Sequence, residues 1–148
     1  MISKEMESRI DKFIEENRQN IVNDIAKLVN IKSVSTHSDD PNSPFGEGCH
    51  KVLDKALEMC EAMGFKTRNY DYYAAVFGSG DKEIAILGHL DVVPEGEGWS
   101  HDPYDMIEKD GYIYGRGVAD DKGPTVVGLY ALKCMKELGV QPNYSFRL

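Results

Sequence analysis

Residues 84–124 read IAILGHLDVVPEGEGWSHDPYDMIEKDGYIYGRGVADDKGP, and the order of events in them decides the fold class. A short apolar run, Ile84 to Leu87, has the composition of a strand buried on both faces. It opens directly into a long stretch dense in Gly, Pro, Asp and His. Connections of that length inside a compact domain are usually functional. The regular piece expected within it is a hairpin turning at Lys109-Asp110-Gly111. Beyond it, Thr125 to Leu138 carries Val126, Val127, Leu129, Tyr130, Leu132, Cys134, Met135 and Leu138, a helix apolar over much of its surface and therefore central, with Gly139 at its end. Strand, functional loop and buried helix in that order point to an α/β fold, in which ligands bind where loops leave the C-terminal ends of strands.

Toward the N-terminus the pattern is helical. Ile10, Phe13, Ile14, Ile21, Ile25, Leu28 and Val29 recur at helical spacings between Ser3 and Val29, with an interruption expected near Asn17 to Asn20. THSDDPNSPFGEG (36–48) is a loop by composition. Val52, Leu53, Ala56, Leu57, Cys60 and Met63 then mark a second helix, which Gly64 terminates. Lys66–Tyr72 and Tyr73–Phe77 have strand composition, and GSGDK (78–82) turns the chain into Ile84–Leu87. The final residues, Tyr144 to Leu148, alternate as a strand does. The expected order is helix, helix, strands, helix, strand, a mixed sheet with flanking helices.

Composition narrows the function. The chain has 148 residues, 41% of them hydrophobic, enough for one domain with a real core. A formal charge of -8 opposes nucleic-acid binding, which needs clustered Lys and Arg. The opening MISKEMESRIDKF lacks the apolar run of a secretory leader, and no membrane partner is expected. Cys49, Cys60 and Cys134 are odd in number and widely spaced, which suits reduced thiols in a cytoplasmic protein better than a disulfide framework. The motifs do not encode an oligomeric state.

His89 and Asp91 carry the first chemical signal. They follow the apolar run at i and i+2, and in extended backbone such residues point the same way. An aspartate beside a metal-bound imidazole accepts its second N–H and fixes the tautomer, which is the role read for Asp91. Asp120 and Asp121 lie about thirty residues on, after Gly117. A carboxylate there can bridge two divalent ions ~3.5–4 Å apart. Asp120 is the candidate bridge, whereas Asp121 is equally well placed to cap the following helix.

Competing chemistries lack their motifs. Gly115-Arg116-Gly117 is not part of a phosphate-binding glycine pattern. Cys49 and His50 are neighbours on a helix and do not face each other, and no serine elbow is present. Trp99 and Tyr104 suit pinning of the loop as well as substrate contact.

Taken together, GHLDVVPEGEGWSHDPY (88–104) and GRGVADDKGP (115–124) resemble the di-zinc peptidase family of aminoacylase, carboxypeptidase G, succinyl-diaminopimelate desuccinylase and carnosinase, and within it the bacterial dipeptidase V branch. The resemblance runs over nearly the whole chain. It implies the three-layer zinc-peptidase-like catalytic domain, of which residues 1–148 would be the N-terminal part. It further implies that His89 binds one metal, that Asp120 bridges both, that Asp91 orients His89, and that the Asp120–Asp121 peptide is cis. Where the commoner family form has Met, this chain has Asp121, as the dipeptidase branch does. The implied cofactors are two divalent metal ions, zinc first, with manganese and cobalt also compatible with mixed nitrogen and oxygen ligands. The implied reaction is hydrolysis of the amide bond of a small peptide by metal-activated water. An adjacent glutamate pair and further ligands are expected beyond Leu148, so that residues 1–148 alone would be inactive. Two alternatives stay open: a deacylase or desuccinylase of the same family, and a metal-free binding module.

Overall fold

The computed structural model describes residues 2–72, 74–77, 83–140 and 145–148. Its elements are α1 (Lys4–Val29), α2 (Glu47–Ala62), β1 (Thr67–Tyr70), β2 (Ala74–Phe77), β3 (Glu83–Ala85), β4 (Ile107–Lys109), β5 (Tyr112–Tyr114), α3 (Lys122–Glu137) and β6 (Ser145–Arg147). This is the α/β order expected. The turn at 78–82, Tyr73 and Tyr144 lie outside the described residues.

Helix α1 starts where Ser3 Oγ accepts the Met6 N–H at 3.2 Å. Glu5 and Glu7 in its first turn and Lys27 in its last complement the helix dipole. Its buried stripe includes Phe13, Ile25, Leu28 and Val29, while Ile14, counted in the sequence stripe, is exposed. The interruption expected near Asn17 to Asn20 does not occur, because the Asn17 amide finds partners without breaking the helix. Its Nδ2 donates to the Phe13 carbonyl one turn back at 2.9 Å, and its Oδ1 accepts from Lys133 Nζ on α3 at 3.2 Å.

Helix α2 ends as expected at Gly64, whose φ of 74° favours glycine. The closing bonds run from Gly64 N–H to the Glu61 carbonyl at 2.8 Å and from Phe65 N–H to the Cys60 carbonyl at 3.0 Å.

Among the described residues the strands form three two-stranded pairs: β1–β2 antiparallel, β3–β6 parallel and β4–β5 antiparallel. The β4–β5 hairpin turns at Asp110 (φ 54°) and Gly111 (φ 80°), two left-handed residues in succession, as a tight two-residue turn requires.

Helix α3 stands between α1 and the β3–β6 pair. Val126, Tyr130 and Cys134 cluster with Phe13, Ile25, Leu28 and Val29 of α1. Leu129 and Leu132 cluster with Ile86, Phe146 and Leu148. Tyr130 Oη also donates to the buried Asp24 carboxylate at 2.7 Å. The helix begins three residues before the expected Thr125, because the Asp121 carbonyl already accepts the Thr125 N–H at 2.9 Å. Pro124 falls in the first turn, where a missing N–H costs nothing.

One expectation is corrected. The run Ile84–Leu87 is not buried on both faces: Ile84 is 44% and Leu87 92% exposed. Only β6 pairs with β3 among the described residues, and α3 covers one face of that pair. A strand's composition records burial that neighbouring elements must supply, and one such cover is present here.

Candidate metal centre

The segment after β3 is fixed before its side chains are considered. Val92 forms a parallel bridge with Val34, its N–H donating to the Ser33 carbonyl at 3.0 Å. The Ser33 hydroxyl in turn donates to the Leu90 carbonyl at 2.7 Å. Residues 88–92 therefore run extended along a buried anchor, Ser33 and Val92 both being buried.

On that segment the His89 ring has two occupied sides. Nδ1 lies 3.0 Å from the Asp91 carbonyl oxygen and 3.4 Å from Asp91 Oδ1. Nε2 lies 3.0 Å from Asp120 Oδ1. The closer partner of Nδ1 is thus the Asp91 main chain, with its carboxylate alongside. Burial disfavours the charged ring, but the bond to the Asp91 carbonyl, the Asp120 carboxylate and the charge of Asp91 outweigh it and raise the His89 pKa above its ordinary value.

Asp120 arrives from the start of α3, where the Asp120–Asp121 peptide is cis. Its carboxylate is 87% exposed, open to a ligand approaching from solvent. Asp121 occupies the N-cap position of α3 yet makes no side-chain capping bond. Its Oδ2 accepts the His89 backbone N–H at 3.2 Å instead.

An imidazole nitrogen and a carboxylate oxygen converging at 3.0 Å on an open surface fit a divalent cation with mixed N and O ligands. They fit as part of a set: among the described residues no group of three or more His, Cys, Asp and Glu side chains is placed to hold a metal.

The adjoining loop is built around Glu95, which the sequence did not single out. Its Oε1 accepts from Lys32 Nζ at 2.7 Å and its Oε2 from Tyr104 Oη at 3.0 Å, while its main-chain carbonyl accepts from Trp99 Nε1 at 2.8 Å and Arg116 Nη2 at 2.9 Å. The Lys32 bond, the Glu95 backbone bond and the Tyr104 bond hold the Glu95 carboxyl down to about 2. Trp99 and Tyr104 pin the loop. Lys122 was missed as well, since a lone lysine in DDKGP carries no periodic signal. It is fully buried, with Nζ donating to the Leu28 and Ile31 carbonyls at 2.9 and 2.8 Å. Burial pulls its pKa down to about 8.

The cysteines take no part in this chemistry. Burial raises the Cys49 thiol, whose Sγ lies 3.5 Å from the Ser33 carbonyl, and pushes Cys60 up to about 12. His50 faces Asp54, Nε2 to Oδ2 at 3.0 Å, and stacks on Tyr72.

With this geometry in place, the chain can be set beside the known proteins it is similar to. Residues 85–148, which contain His89, Asp91 and Asp120, match the model of "Peptidase family M20/M25/M40". The chain is 39% identical to the Beta-Ala-Xaa dipeptidase of Lactobacillus delbrueckii subsp. lactis, over 93% of this chain and 30% of the relative. It is 40% identical to the putative dipeptidase YtjP of Bacillus subtilis (strain 168), over 88% of this chain and 29% of the relative. In structure it resembles human carnosine dipeptidase 1, with a TM-score of 0.77 at 22% identity, over 95% of this chain and 33% of that one. That likeness establishes the fold. The chain spans about 30% of the length of the curated relatives it matches.

Proposed function

We propose that the full-length protein is a metal-dependent dipeptidase, that residues 1–148 are the N-terminal part of its catalytic domain, and that His89 and Asp120 belong to the ligand set of a two-metal centre. Zinc is the first candidate, with manganese or cobalt as alternatives. The observation that carries the reading is the 3.0 Å approach of His89 Nε2 to Asp120 Oδ1 at the mouth of β3, in a chain whose relatives are named dipeptidases.

The chain's own groups have separable tasks. The Asp91 carbonyl accepts a hydrogen bond from Nδ1–H, which leaves Nε2, the nitrogen facing Asp120, as the one that would hold a cation shared with that carboxylate. Asp120 brings negative charge and a second oxygen for bridging. Asp91 Oδ1 at 3.4 Å adds negative charge beside the ring. A divalent cation held there supplies Lewis-acid polarisation of a carbonyl and lowers the pKa of water. The general base and remaining ligands are assigned to the full-length protein beyond residue 148. The substrate is a small peptide, with neither nucleic acid nor membrane as partner. No helix among the described residues is long and apolar enough to cross a membrane. A cytoplasmic location belongs to the same reading and is supported by three unpaired thiols.

The test is zinc titration and dipeptide hydrolysis by full-length protein, its His89→Ala and Asp120→Ala variants, and the 148-residue chain. Turnover is expected to fall at least about a hundredfold in both variants, with metal stoichiometry reduced. The 148-residue chain is expected to be inactive. A His89→Ala protein that keeps wild-type stoichiometry and turnover refutes the assignment.

A further inference from the structure

The Asp121 carboxylate stands at a helix N-cap without capping the helix. It turns across to the neighbouring segment, where Oδ2 accepts the His89 backbone N–H at 3.2 Å. The approach of the two segments is close. A Cβ built on Gly88 would lie 3.0 Å from Asp121 Oδ2 and 2.4 Å from Thr125 Oγ1, so a side chain at this position would have to displace one or both of those oxygens. Thr125 Oγ1 is itself buried without a hydrogen-bond partner, and the Thr125 N–H is held by the Asp121 carbonyl at 2.9 Å. The first turn of α3 and the segment bearing His89 therefore meet through the Asp121 carboxylate, one residue on from Asp120.

We propose that Asp121 is the positioning residue of the site: by holding the His89 main chain it sets the distance between the His89 ring and the Asp120 carboxylate. This inference rests on the metal-centre reading above and adds to it a residue that touches no metal. Two side chains that must share one cation need their main chains fixed relative to each other, because loose ligands pay ordering entropy on every binding event. Asp120 and Asp121 are adjacent, so a bond from Asp121 to the residue carrying the imidazole fixes the pair with few intervening torsions. A mere N-cap would stabilise α3 and leave the His89 segment untouched.

The experiment uses the full-length protein, with zinc affinity measured by chelator competition and the visible spectrum of the cobalt-substituted form as readouts. Asp121→Ala is expected to weaken zinc binding about tenfold or more and to change the cobalt spectrum. Asp121→Asn, whose amide oxygen accepts the same N–H, is expected to stay within about threefold of wild type. Gly88→Ala, which retains Asp121 but crowds its Oδ2 and Thr125 Oγ1, is expected to weaken zinc binding in the same direction as Asp121→Ala. Wild-type affinity and an unchanged spectrum in Asp121→Ala overturn the proposal and leave only a contribution to stability. Hydrogen exchange at the His89 amide decides the matter without any variant: protection supports the tether, and exchange at the open-chain rate overturns it. A wild-type protein that binds no zinc refutes the metal reading separately, since the exchange result still stands.

Discussion

The guanidinium of Arg116 reaches the main-chain carbonyl of Glu95, Nη2 donating at 2.9 Å, and so ties the loop behind His89 to the loop ahead of Asp120. Trp99 Nε1 donates to the same oxygen at 2.8 Å, and the Arg116 guanidinium lies 5.6 Å from the Trp99 ring centre. One carbonyl thus gathers a cation and an indole from two segments that the sequence separates. The arrangement depends on a planar group that can donate and stack at once.

Arg116→Lys keeps the charge and loses the planar guanidinium. Lysine can still approach the Glu95 carbonyl, but only as a point donor without the planar contact to Trp99. The variant should lose about 1–2 kcal/mol of stability. Urea denaturation of the full-length protein, followed by tryptophan fluorescence, measures it. Stability equal to wild type would show that the clasp is held by Trp99 alone.

Glu95→Gln gives a pH-dependent loss with a defined sign. The Glu95 carboxyl is lowered from 4.5 to about 2, first by the Lys32 bond. A lowered carboxylate pKa contributes stability that is fully present above the unfolded value and is lost as pH falls through the folded one. Glu95→Gln should therefore be less stable than wild type at pH 6, and the gap should close between about pH 4.5 and 2. Melting curves of both proteins over that range provide the check; a gap of constant size would mean that the carboxylate's charge is irrelevant.

Much of this was legible because it is local. The stripes of α1, α2 and α3 follow from spacing, and Gly64 and Asp110-Gly111 mark a helix end and a turn by backbone preference alone. The pairing of His89 with Asp120 came from a motif resemblance, since residues thirty positions apart have no local pattern to relate them. What could not be read was set by contacts between distant segments. Whether Ile84 and Leu87 are covered depends on which elements lie beside β3. Asn17 looked like a helix breaker until Lys133, on another helix, supplied its partner. Asp121 reads as a candidate helix cap, and its bond to the His89 N–H could not be read because it joins segments far apart in sequence.

Lys122 gives the last expectation, and competing magnitudes decide it. Its ammonium is fully buried and bonded to the Leu28 and Ile31 carbonyls at the C-terminal end of α1, where positive charge is favoured by the helix dipole. Lys122→Met keeps most of the apolar stem in place and removes both bonds. Each carbonyl left unsatisfied in a buried setting costs ~1–3 kcal/mol. Two terms reduce that cost: the Leu28 carbonyl also accepts the Ile31 N–H at 3.2 Å, and the variant no longer has to bury a charge. The expected net loss is about 2 kcal/mol. Lys122→Ala should lose more, because it also empties the volume of the buried stem beside Gly117. Urea denaturation of the two variants against wild type tests the order. If Lys122→Met were as stable as wild type or more so, desolvation of the ammonium would outweigh its two hydrogen bonds, and the lysine would have to be explained by something other than the stability of α1 and α3.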